Sequence, residues 1–259
     1  CPGNASVTMD ATCSAFVPNL PPVLITDNCN TVSSAQSPAA GSTITGSGVT
    51  TVTLTATDGS NNTSTCAVTL NRIDVSPPII SCPSNQFINK GANCTATLPA
   101  YSLATLSDNC GTPTVTQLPV AGTSISGDIV SVQLTANDGF NTAYCTFNIF
   151  LDDVTPPSIT CPATQTLSLS AGCSVLLPAY SPVSNTDNCY TPTFSQSPVA
   201  GTSLSGSGSI TVVLTTSDVK NNTNSCSFIV NRSDNVAPSI TCPGTQSLTV
   251  GTSCTVPLP

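Results

Sequence analysis

The sequence is informative first in what it lacks: its 259 residues include no histidine, no tryptophan and no glutamate. Without histidine or glutamate, neither a Ser-His-Asp triad nor a carboxylate–histidine pair for proton transfer can be built. A structural zinc site usually draws on histidine or on closely spaced Cys-x-x-Cys pairs, and the sequence has neither. These absences predict a protein that is not an enzyme.

Basic residues are also scarce. The sequence has only four, Lys90, Lys220, Arg72 and Arg232, and its net charge is −8. A chain of this charge without a basic patch is not expected to bind nucleic acid or an anionic membrane surface. No apolar run approaches the length of about 18 residues that a membrane-spanning helix needs. With so few ion pairs, we expect the fold to depend on sheet hydrogen bonds, a small apolar core and covalent links.

What the sequence has in abundance is cysteine, with 14 residues, which indicates an oxidising compartment outside the cell or at its surface. The spacings are 12, 16 and 37 residues from Cys1, then 12, 16 and 35 from Cys82, then 12, 16 and 37 from Cys161. Cys242 and Cys254 begin another round with a spacing of 12. Such a period predicts tandem repeats of about 80 residues. We place them at 1–75, 76–154 and 155–236, with the opening strands of a fourth repeat at 237–259.

Each repeat has the sequence pattern of β-strands. Val52 and Leu54 alternate with threonine, and Val68 and Leu70 follow Cys66 at every second position. This period of two places one apolar and one hydroxyl face on each strand, and it recurs in the next two repeats. No segment has helical spacing, and turn signals recur every few residues, so the predicted fold is an all-β sandwich.

The predicted joints between repeats are short and contain proline. They read Asp74-Val-Ser-Pro-Pro, Asp153-Val-Thr-Pro-Pro and Asn235-Val-Ala-Pro, each just before a Cys-Pro pair. Proline fixes its own backbone and favours an extended conformation in the residue before it. We therefore expect stiff joints and a rod-like arrangement of the repeats.

These motifs resemble the HYR (hyalin repeat) domain. The resemblance is carried by Pro-Pro-x-Ile-x-Cys-Pro at 77–83 and 156–162, by Asp-Asn-Cys at 27, 108 and 187, and by Asp58-Gly-x-Asn-Asn before Cys66. It covers the whole chain and departs from the family pattern at residues 44–48. The resemblance implies tandem immunoglobulin-like sandwiches with roles in adhesion and extracellular structure rather than catalysis.

The resemblance also implies how the cysteines pair, because two-cysteine members of the family look as if they keep the first and fourth positions. It gives bridges of the first with the fourth cysteine and of the second with the third in each repeat. Pairing of first with third and second with fourth remains a rival, since four cysteines allow three connectivities. The implied pairs are Cys1–Cys66, Cys13–Cys29, Cys82–Cys145, Cys94–Cys110, Cys161–Cys226 and Cys173–Cys189.

The acidic residues recur in three places: the Asp-Asn-Cys loop, the turn before the last strand, and the joint. In an immunoglobulin-like topology the first two loops lie at the end of the domain that the preceding joint enters. The favoured interpretation is that these residues cap turns. The alternative is Ca²⁺, bound by hard oxygen ligands at each joint, and no other cofactor is expected. The candidate ligands are Asp74, Asp108 and Asp138 at one joint, and Asp152, Asp153, Asp187 and Asp218 at the next.

Glycosylation is a second candidate modification. Asn-x-Ser/Thr sequons occur at six positions, about as many as chance predicts for this composition. The candidates are Asn4, Asn61, Asn62, Asn93, Asn221 and Asn231. Tyr101, Tyr180 and Tyr190 suggest a site that stacks on sugars, but Tyr101 and Tyr180 recur in phase after Leu-Pro-Ala, so we favour packing roles for them.

The repeats are close copies without one specialised loop, which favours a structural subunit of an extracellular fibre, stalk or sheath. The alternative is a cell-surface adhesin, or a ligand-binding or spacer ectodomain of a larger secreted protein. The expected partners are further copies of the chain, or its own continuation, and glycans. Residues 242–259 repeat the opening of a unit without the third and fourth cysteines, so we expect completion by more chain or by a neighbouring subunit.

Overall fold

The computed structural model describes residues 1–20, 24–29, 31–247, 249–250 and 252. Throughout these residues the secondary structure is β-strand, turn and irregular chain. No helix that is long and apolar enough to cross a membrane occurs in this part of the chain. The chain divides into two compact units, Cys1–Val154 and Thr155–Pro259. The first unit holds the first two repeats, and the second unit holds the third.

The first repeat is built on a long hairpin with a sheet on each side of its core. Its strands are β1 (Ala5–Thr8), β2 (Ser14–Phe16), β3 (Ser33–Ser37), β4 (Thr43–Thr45), β5 (Gly48–Thr57) and β6 (Thr63–Ile73). One sheet has the order β1-β6-β5-β3, and β2 pairs with β4 in the other. In the hairpin, Gly48 lies opposite Arg72 at one end and Thr57 lies opposite Thr63 at the other.

The second repeat keeps this plan and adds a pair of short strands. Its strands are β7 (Ile79–Ser81), β8 (Gln86–Asn89), β9 (Ala96–Thr97), β10 (Thr105–Ser107), β11 (Thr114–Leu118), β12 (Ser124–Ile125), β13 (Ile129–Asn137) and β14 (Thr142–Asp152). The main sheet has the order β11-β13-β14-β8, and the pairs β9–β12 and β7–β10 complete the repeat. As β1 does with β6, β8 runs parallel to β14, while the other neighbours are antiparallel.

The third repeat, in the second unit, has the same arrangement as the second repeat. Its strands are β15 (Ser158–Thr160), β16 (Gln165–Ser168), β17 (Ser174–Leu176), β18 (Ser184–Thr186), β19 (Thr193–Ser197), β20 (Ser203–Ser205), β21 (Gly208–Ser217) and β22 (Thr223–Ser233). The sheets are β16-β22-β21-β19, β15–β18 and β17–β20. Residues 237–247, 249–250 and 252 contain no strand, and the remainder of the predicted opening of a fourth repeat lies outside the described residues.

Each repeat buries its own apolar core, as the alternating pattern predicts. Val52, Val68 and Leu70 are fully buried in the first repeat, and the equivalent residues of the second and third repeats are buried in the same way. The predicted fold class, a series of immunoglobulin-like β-sandwiches held by disulfides, is therefore confirmed.

A glutamine that the sequence patterns did not identify ties the two sheets together in every repeat. The Gln117 side chain accepts a hydrogen bond from the Tyr101 N–H (2.9 Å) and donates to the carbonyls of Pro99 (3.0 Å) and Pro119 (3.1 Å). Gln36 and Gln196 make the same three hydrogen bonds in their repeats. The signal was present as a recurring Gln-x-Pro triplet.

Tyr101 has the packing role that was favoured for it. Its ring meets Phe147 edge to face, with centroids 4.9 Å apart, and Tyr180 meets Phe228 at the same distance. Burial raises the pKa of both tyrosines.

Candidate metal site and disulfides at the joint between repeats

Three disulfides close the repeats internally, and they join the first cysteine of each repeat to the fourth. The bridges are Cys1–Cys66, Cys82–Cys145 and Cys161–Cys226, with Cα–Cα distances of 5.8, 5.7 and 5.6 Å. They agree with the pairing that the family resemblance implies. The second and third bridges pack against the apolar cores of their repeats, where the alternation of Cys145 and Cys226 with core residues had placed them.

The second and third cysteines pair differently from the prediction. Cys13 of the first repeat is bonded to Cys110 of the second, with a Cα–Cα distance of 4.9 Å. The predicted pairs Cys13–Cys29 and Cys94–Cys110 are therefore wrong, and so is the rival pairing of first with third and second with fourth. The disulfide of the joint links two successive repeats.

The long hairpin explains why Cys13 and Cys29 do not meet. The carbonyl of Cys13 accepts a hydrogen bond from the Gly46 N–H (3.0 Å), which places it at the Gly48–Arg72 end of β5 and β6. Asp27, two residues before Cys29, lines a cavity together with Asp58, at the opposite end of this hairpin. A strand of ten residues spans about 30 Å, whereas a disulfide needs Cα atoms within about 7 Å.

Among the residues that the structure describes, the remaining cysteines fall into two groups. Cys94 and Cys189 are disulfide-bonded, whereas Cys29, Cys173 and Cys242 carry exposed free thiols. The prediction that all twelve cysteines from Cys1 to Cys226 are oxidised within their own repeats is therefore wrong. The predicted pairs Cys94–Cys110 and Cys173–Cys189 fail for the same reason as Cys13–Cys29, since the second and third cysteines lie at opposite ends of a repeat.

Beside the Cys13–Cys110 bridge, three aspartates come together as the topology argument predicted. Oxygen atoms of Asp74, Asp108 and Asp138 lie within 4.8 Å of one another. Asp74 comes from the joint, Asp108 from the Asp-Asn-Cys loop, and Asp138 from the turn between β13 and β14. Asp74 is only 2% exposed, and the other two are half-buried. We call these three residues the aspartate cluster.

Each member of the aspartate cluster caps its own turn with one oxygen. Asp74 Oδ1 accepts from the Ser76 N–H (3.0 Å), and Asp108 Oδ2 accepts from the Cys110 N–H (2.8 Å). Asp138 Oδ1 accepts two N–H groups of its turn, both at 2.6 Å. The second oxygen of each carboxylate is buried and has no hydrogen-bond partner in the described structure. Turn capping therefore occupies one oxygen of each side chain and leaves the other as a candidate ligand for a cation.

The electrostatics of the cluster favour a bound cation. Burial raises the pKa of Asp138, but the N–H groups of Asn141 and Phe140 outweigh it and hold this pKa below the usual range. Like charges 4.8 Å apart repel by about 3–4 kcal/mol at an effective dielectric constant of about 20. Carboxylate oxygens are hard ligands of the type that Ca²⁺ prefers. The oxygen of Asn109, whose Nδ2 lies 3.5 Å from Asp74 Oδ1, is also buried without a hydrogen-bond partner.

The matching turn of the first repeat shows capping alone. Asp58 Oδ1 accepts from the Ser60 and Asn62 N–H groups, and its Oδ2 accepts from Asn62 Nδ2 (2.8 Å). These bonds, led by the Asn62 side chain, lower the pKa of Asp58. Both oxygens of Asp58 thus accept hydrogen bonds, whereas Asp138 Oδ2 has no hydrogen-bond partner in the described structure.

The candidate ligands of the next joint are divided between the two units. Asp152 and Asp153 end the first unit, where Asp153 is buried. In the second unit, Asp218 is buried and both of its oxygens accept hydrogen bonds within its turn. Asp187 caps the N–H groups of Cys189 and Tyr190. Calcium at these residues stays a prediction.

The glycosylation candidates are all exposed. They lie at Asn4, Asn61, Asn62, Asn93, Asn221 and Asn231. Asn61 and Asn221 occupy left-handed turn positions with φ of 66° and 67°. The Asn62 amide nitrogen, to which a glycan would be attached, donates a hydrogen bond to Asp58 Oδ2 (2.8 Å). Their modification stays a prediction.

Comparison with known proteins gives one sequence relative and several structures. No family model matches the chain. It is 29% identical over 214 residues to hyalin of Lytechinus variegatus, an alignment that covers 75% of this chain and 38% of hyalin. Among solved structures it is similar to human CDH23 EC21-23 (18% identity, TM-score 0.34, 74% and 78% of the two chains). It is also similar to titin domains I67–I69 (10% identity, TM-score 0.41), and this match covers 90% of this chain and 96% of the titin chain.

Proposed function

We propose that this chain is an array of HYR-type repeats that serves as a structural subunit of an extracellular fibre, stalk or sheath, and that it is not an enzyme. The similarity to hyalin and the HYR motifs support the family assignment. The disulfides support a location outside the cell or at its surface. The single observation that carries the structural role is the joint of the first unit, where a covalent bridge crosses from one repeat to the next.

A joint of this kind suits a load-bearing array better than a flexible spacer. Besides the Cys13–Cys110 bridge, Asn109 Nδ2 donates to the carbonyl of Asp10 (3.0 Å), and Asn141 Nδ2 donates to that of Asp74 (3.1 Å). These contacts fix two repeats to each other at three places around the connecting chain. Flexible linkers, in contrast, leave neighbouring domains without shared contacts.

We further propose that Ca²⁺ binds the aspartate cluster and completes this joint. The three buried oxygens without hydrogen-bond partners support the assignment, because buried charges otherwise require a partner of opposite sign. The ion would link the connecting chain, through Asp74, to two loops of the second repeat. Its role would be structural, since no substrate group is implied.

The experiment is to measure the distance distribution across the joint with spin labels on the two repeats of the first unit. We expect one narrow distribution for the wild-type chain with Ca²⁺ and a broader one for the Cys13→Ser/Cys110→Ser double variant. The double variant removes both cysteines so that no new thiol is left to pair. Broad distributions in both proteins would show that the joint is a flexible linker and would contradict the structural role.

A second candidate function, adhesion, is favoured by an apolar surface of the second repeat whose residues are replaced at the matching strand positions of the first and third repeats. Phe87 stacks on Phe150 with ring centroids 5.2 Å apart, and Phe87 and Ile129 are 77% and 59% exposed. Exposed apolar patches of this kind mark interaction sites. The expectation that no repeat is specialised is thus incomplete. At the positions of Phe87, Phe150 and Ile129, the first repeat has Ser6, Asn71 and Val49. The third repeat has Thr166, Asn231 and Ser209 there.

Replacing the aromatic pair with its counterparts from the first repeat, Phe87→Ser and Phe150→Asn, tests this candidate. If the patch is adhesive, beads coated with wild-type chain should clump and beads coated with the variant should not. If wild-type and variant beads clump equally and the two proteins have the same thermal stability, the patch is not adhesive and the structural role is the one proposal left.

A further inference from the structure

The aspartate cluster and the Cys13–Cys110 bridge lie at the same joint and involve adjoining residues. In the second repeat, Asp108 and Cys110 are two positions apart in one loop. In the first repeat, Asp74 follows the last strand directly, and Cys13 lies in a turn closed by its own N–H. The covalent link and the candidate metal link therefore both run from the first repeat to the Asp108–Cys110 loop.

Within this loop, the carboxylate and the cysteine are fixed to each other by a hydrogen bond. Asp108 Oδ2 accepts from the Cys110 N–H at 2.8 Å. This bond leaves Asp108 Oδ1 buried and without a hydrogen-bond partner in the described structure. A disulfide that holds the Cys110 backbone therefore also positions the candidate ligand oxygen. In return, a cation that binds Asp108 Oδ1 restrains the Cys110 backbone.

Asn109, between these two residues, connects the loop to the first repeat. Its Nδ2 donates to the carbonyl of Asp10 at 3.0 Å, and that carbonyl also accepts from the Cys13 N–H at 2.9 Å. The same nitrogen lies 3.5 Å from Asp74 Oδ1 and 3.4 Å from Cys110 Sγ. One amide group thus contacts the Cys13 turn, the disulfide and the joint aspartate.

The most deeply buried carboxylate of the cluster comes from the other side of the joint. Asp74 is only 2% exposed, and its Oδ2 has no hydrogen-bond partner in the part of the chain that the structure describes. The second repeat contacts Asp74 through Asn141 Nδ2, which donates to its carbonyl at 3.1 Å. Hydrogen bonds of this kind are individually weak. Opening the bridge should therefore loosen the position of Asp74 relative to the other two aspartates.

We propose that the bridge and the cation site are coupled: Ca²⁺ binds the aspartate cluster more tightly when Cys13–Cys110 is formed, and bound Ca²⁺ makes the bridge harder to reduce. The proposal rests on the Ca²⁺ site proposed above and names its regulation. Coupling between two equilibria is reciprocal. The factor by which the bridge raises the Ca²⁺ affinity therefore equals the factor by which saturating Ca²⁺ disfavours reduction. The joint is strongest where calcium and an oxidising medium occur together.

Reduction of the bridge is a thiol–disulfide exchange with a small dithiol as the reductant. Cys110 is half-buried and Cys13 is only 7% exposed, so the attack falls on the Cys110 sulfur. One thiolate of the dithiol forms a mixed disulfide with Cys110 and releases the Cys13 thiolate, which takes up a proton. The second thiol of the reductant then displaces Cys110. Two electrons pass to the bridge, giving two protein thiols and one cyclic disulfide.

The first measurement is Ca²⁺ binding to the full 259-residue chain by isothermal titration calorimetry. The binding event of the aspartate cluster is the one that Asp74→Asn weakens. We expect its Kd to rise about five- to fiftyfold in the Cys13→Ser/Cys110→Ser variant, within the usual range of coupling between sites. The matched control is Cys161→Ser/Cys226→Ser, which removes a bridge of the second unit and should leave this Kd unchanged.

The second measurement uses the wild-type cysteines. The chain is equilibrated with graded ratios of reduced and oxidised dithiothreitol, in excess EGTA or in saturating CaCl2, and the Cys13 and Cys110 thiols are alkylated and counted by mass spectrometry. Calcium should shift the midpoint to more reducing ratios by the factor found for the Kd, and a tenfold factor corresponds to about 30 mV. In Asp74→Asn this shift should shrink, whereas Cys161–Cys226 should respond equally in both chains.

The two measurements separate the coupling from the calcium site itself. Equal Ca²⁺ affinity with and without the bridge, or a reduction midpoint that calcium does not move, would overturn the coupling and leave the calcium site intact. A wild-type chain without any Asp74-dependent Ca²⁺ binding would overturn the proposed site and the coupling with it. If the double cysteine variant shows no cooperative thermal transition, the reduction midpoint of the wild-type chain decides the question.

Discussion

Replacing Asp74 with asparagine should change the stability of the first unit in opposite directions with and without calcium. Asparagine keeps an oxygen that can accept the Ser76 N–H, so the turn cap is preserved while one negative charge is removed. Without calcium, the charge is one of three crowded carboxylates, and its removal should stabilise the folded state. With calcium, the same charge is a ligand, and its removal should weaken binding.

The magnitudes follow from the geometry of the aspartate cluster. Removing one charge eliminates two of three repulsive pairs, each about 3–4 kcal/mol at 4.8 Å and an effective dielectric constant of about 20. Since Asp108 and Asp138 are only half-buried, solvent screening reduces this sum, and we expect a gain of about 1–3 kcal/mol in chelator. In the wild type, calcium at a hundred times its Kd should add about 2.7 kcal/mol. For a unit of 154 residues this corresponds to roughly 5–10 °C in Tm.

The assay is thermal unfolding of the wild type and variant, each in excess EGTA and in millimolar CaCl2. Asp58→Asn is the matched control, because Asp58 caps the equivalent turn but both of its oxygens are satisfied within that turn. This control should lose a little stability equally in both buffers. A wild-type Tm that calcium does not move, or an Asp74→Asn variant that responds to calcium as the wild type does, would refute the reasoning.

Four further predictions follow from the same contacts. Gln117→Ala should destabilise its repeat by about 1–3 kcal/mol, measured by urea unfolding, because it leaves the Tyr101 N–H and two proline carbonyls without their partner. The Cys13–Cys110 bridge closes a loop with a sequence separation of 97 residues. Removing it in the Cys13→Ser/Cys110→Ser variant should lower the free energy of unfolding by about 4–5 kcal/mol on the chain-entropy model, measured by urea unfolding beside the wild-type chain. The Asn62 hydrogen bonds hold the pKa of Asp58 in the folded state below the ordinary aspartate value of 3.8. The stability that Asp58 contributes should therefore be complete above pH 3.8 and fall as the pH drops through the lower pKa of the folded state, which an acid titration of wild type against Asp58→Asn checks. Peptides that contain the exposed sequons should carry glycan masses when the protein is isolated from its native source, and only unmodified sequon peptides by mass spectrometry would contradict this.

The fold could be predicted from the sequence because the signals for it are local. Alternation of Val52 and Leu54 with threonine determines which face of a strand is buried, and the cysteine period locates each repeat. The meeting of Asp74, Asp108 and Asp138 was also predictable, because sandwich topology decides which loops share an end of the domain. These predictions needed only the order of strands and the position of each loop.

The disulfide of the joint was missed because equal spacing shows which cysteines are equivalent, not which lie close together. The needed information was nevertheless in the sequence. Cys110 lies two residues after Asp108, which was already expected to face the preceding joint, so Cys110 had to face the preceding repeat as well. The Gln117 hydrogen bonds were missed for another reason: the Gln-x-Pro triplet recurs in every repeat, but its period marks equivalent residues without showing which groups they contact.

The central claim is that repeats are joined end to end into a stiff array, and imaging of the native material tests it most directly. Electron cryo-microscopy should show filaments built of successive β-sandwiches, each roughly 35 Å long as set by its eleven-residue last strand. Density should continue across the joint from the Cys13 turn to the Cys110 loop. Discrete particles of only three sandwiches, or filaments whose sandwiches vary freely in orientation, would contradict the account.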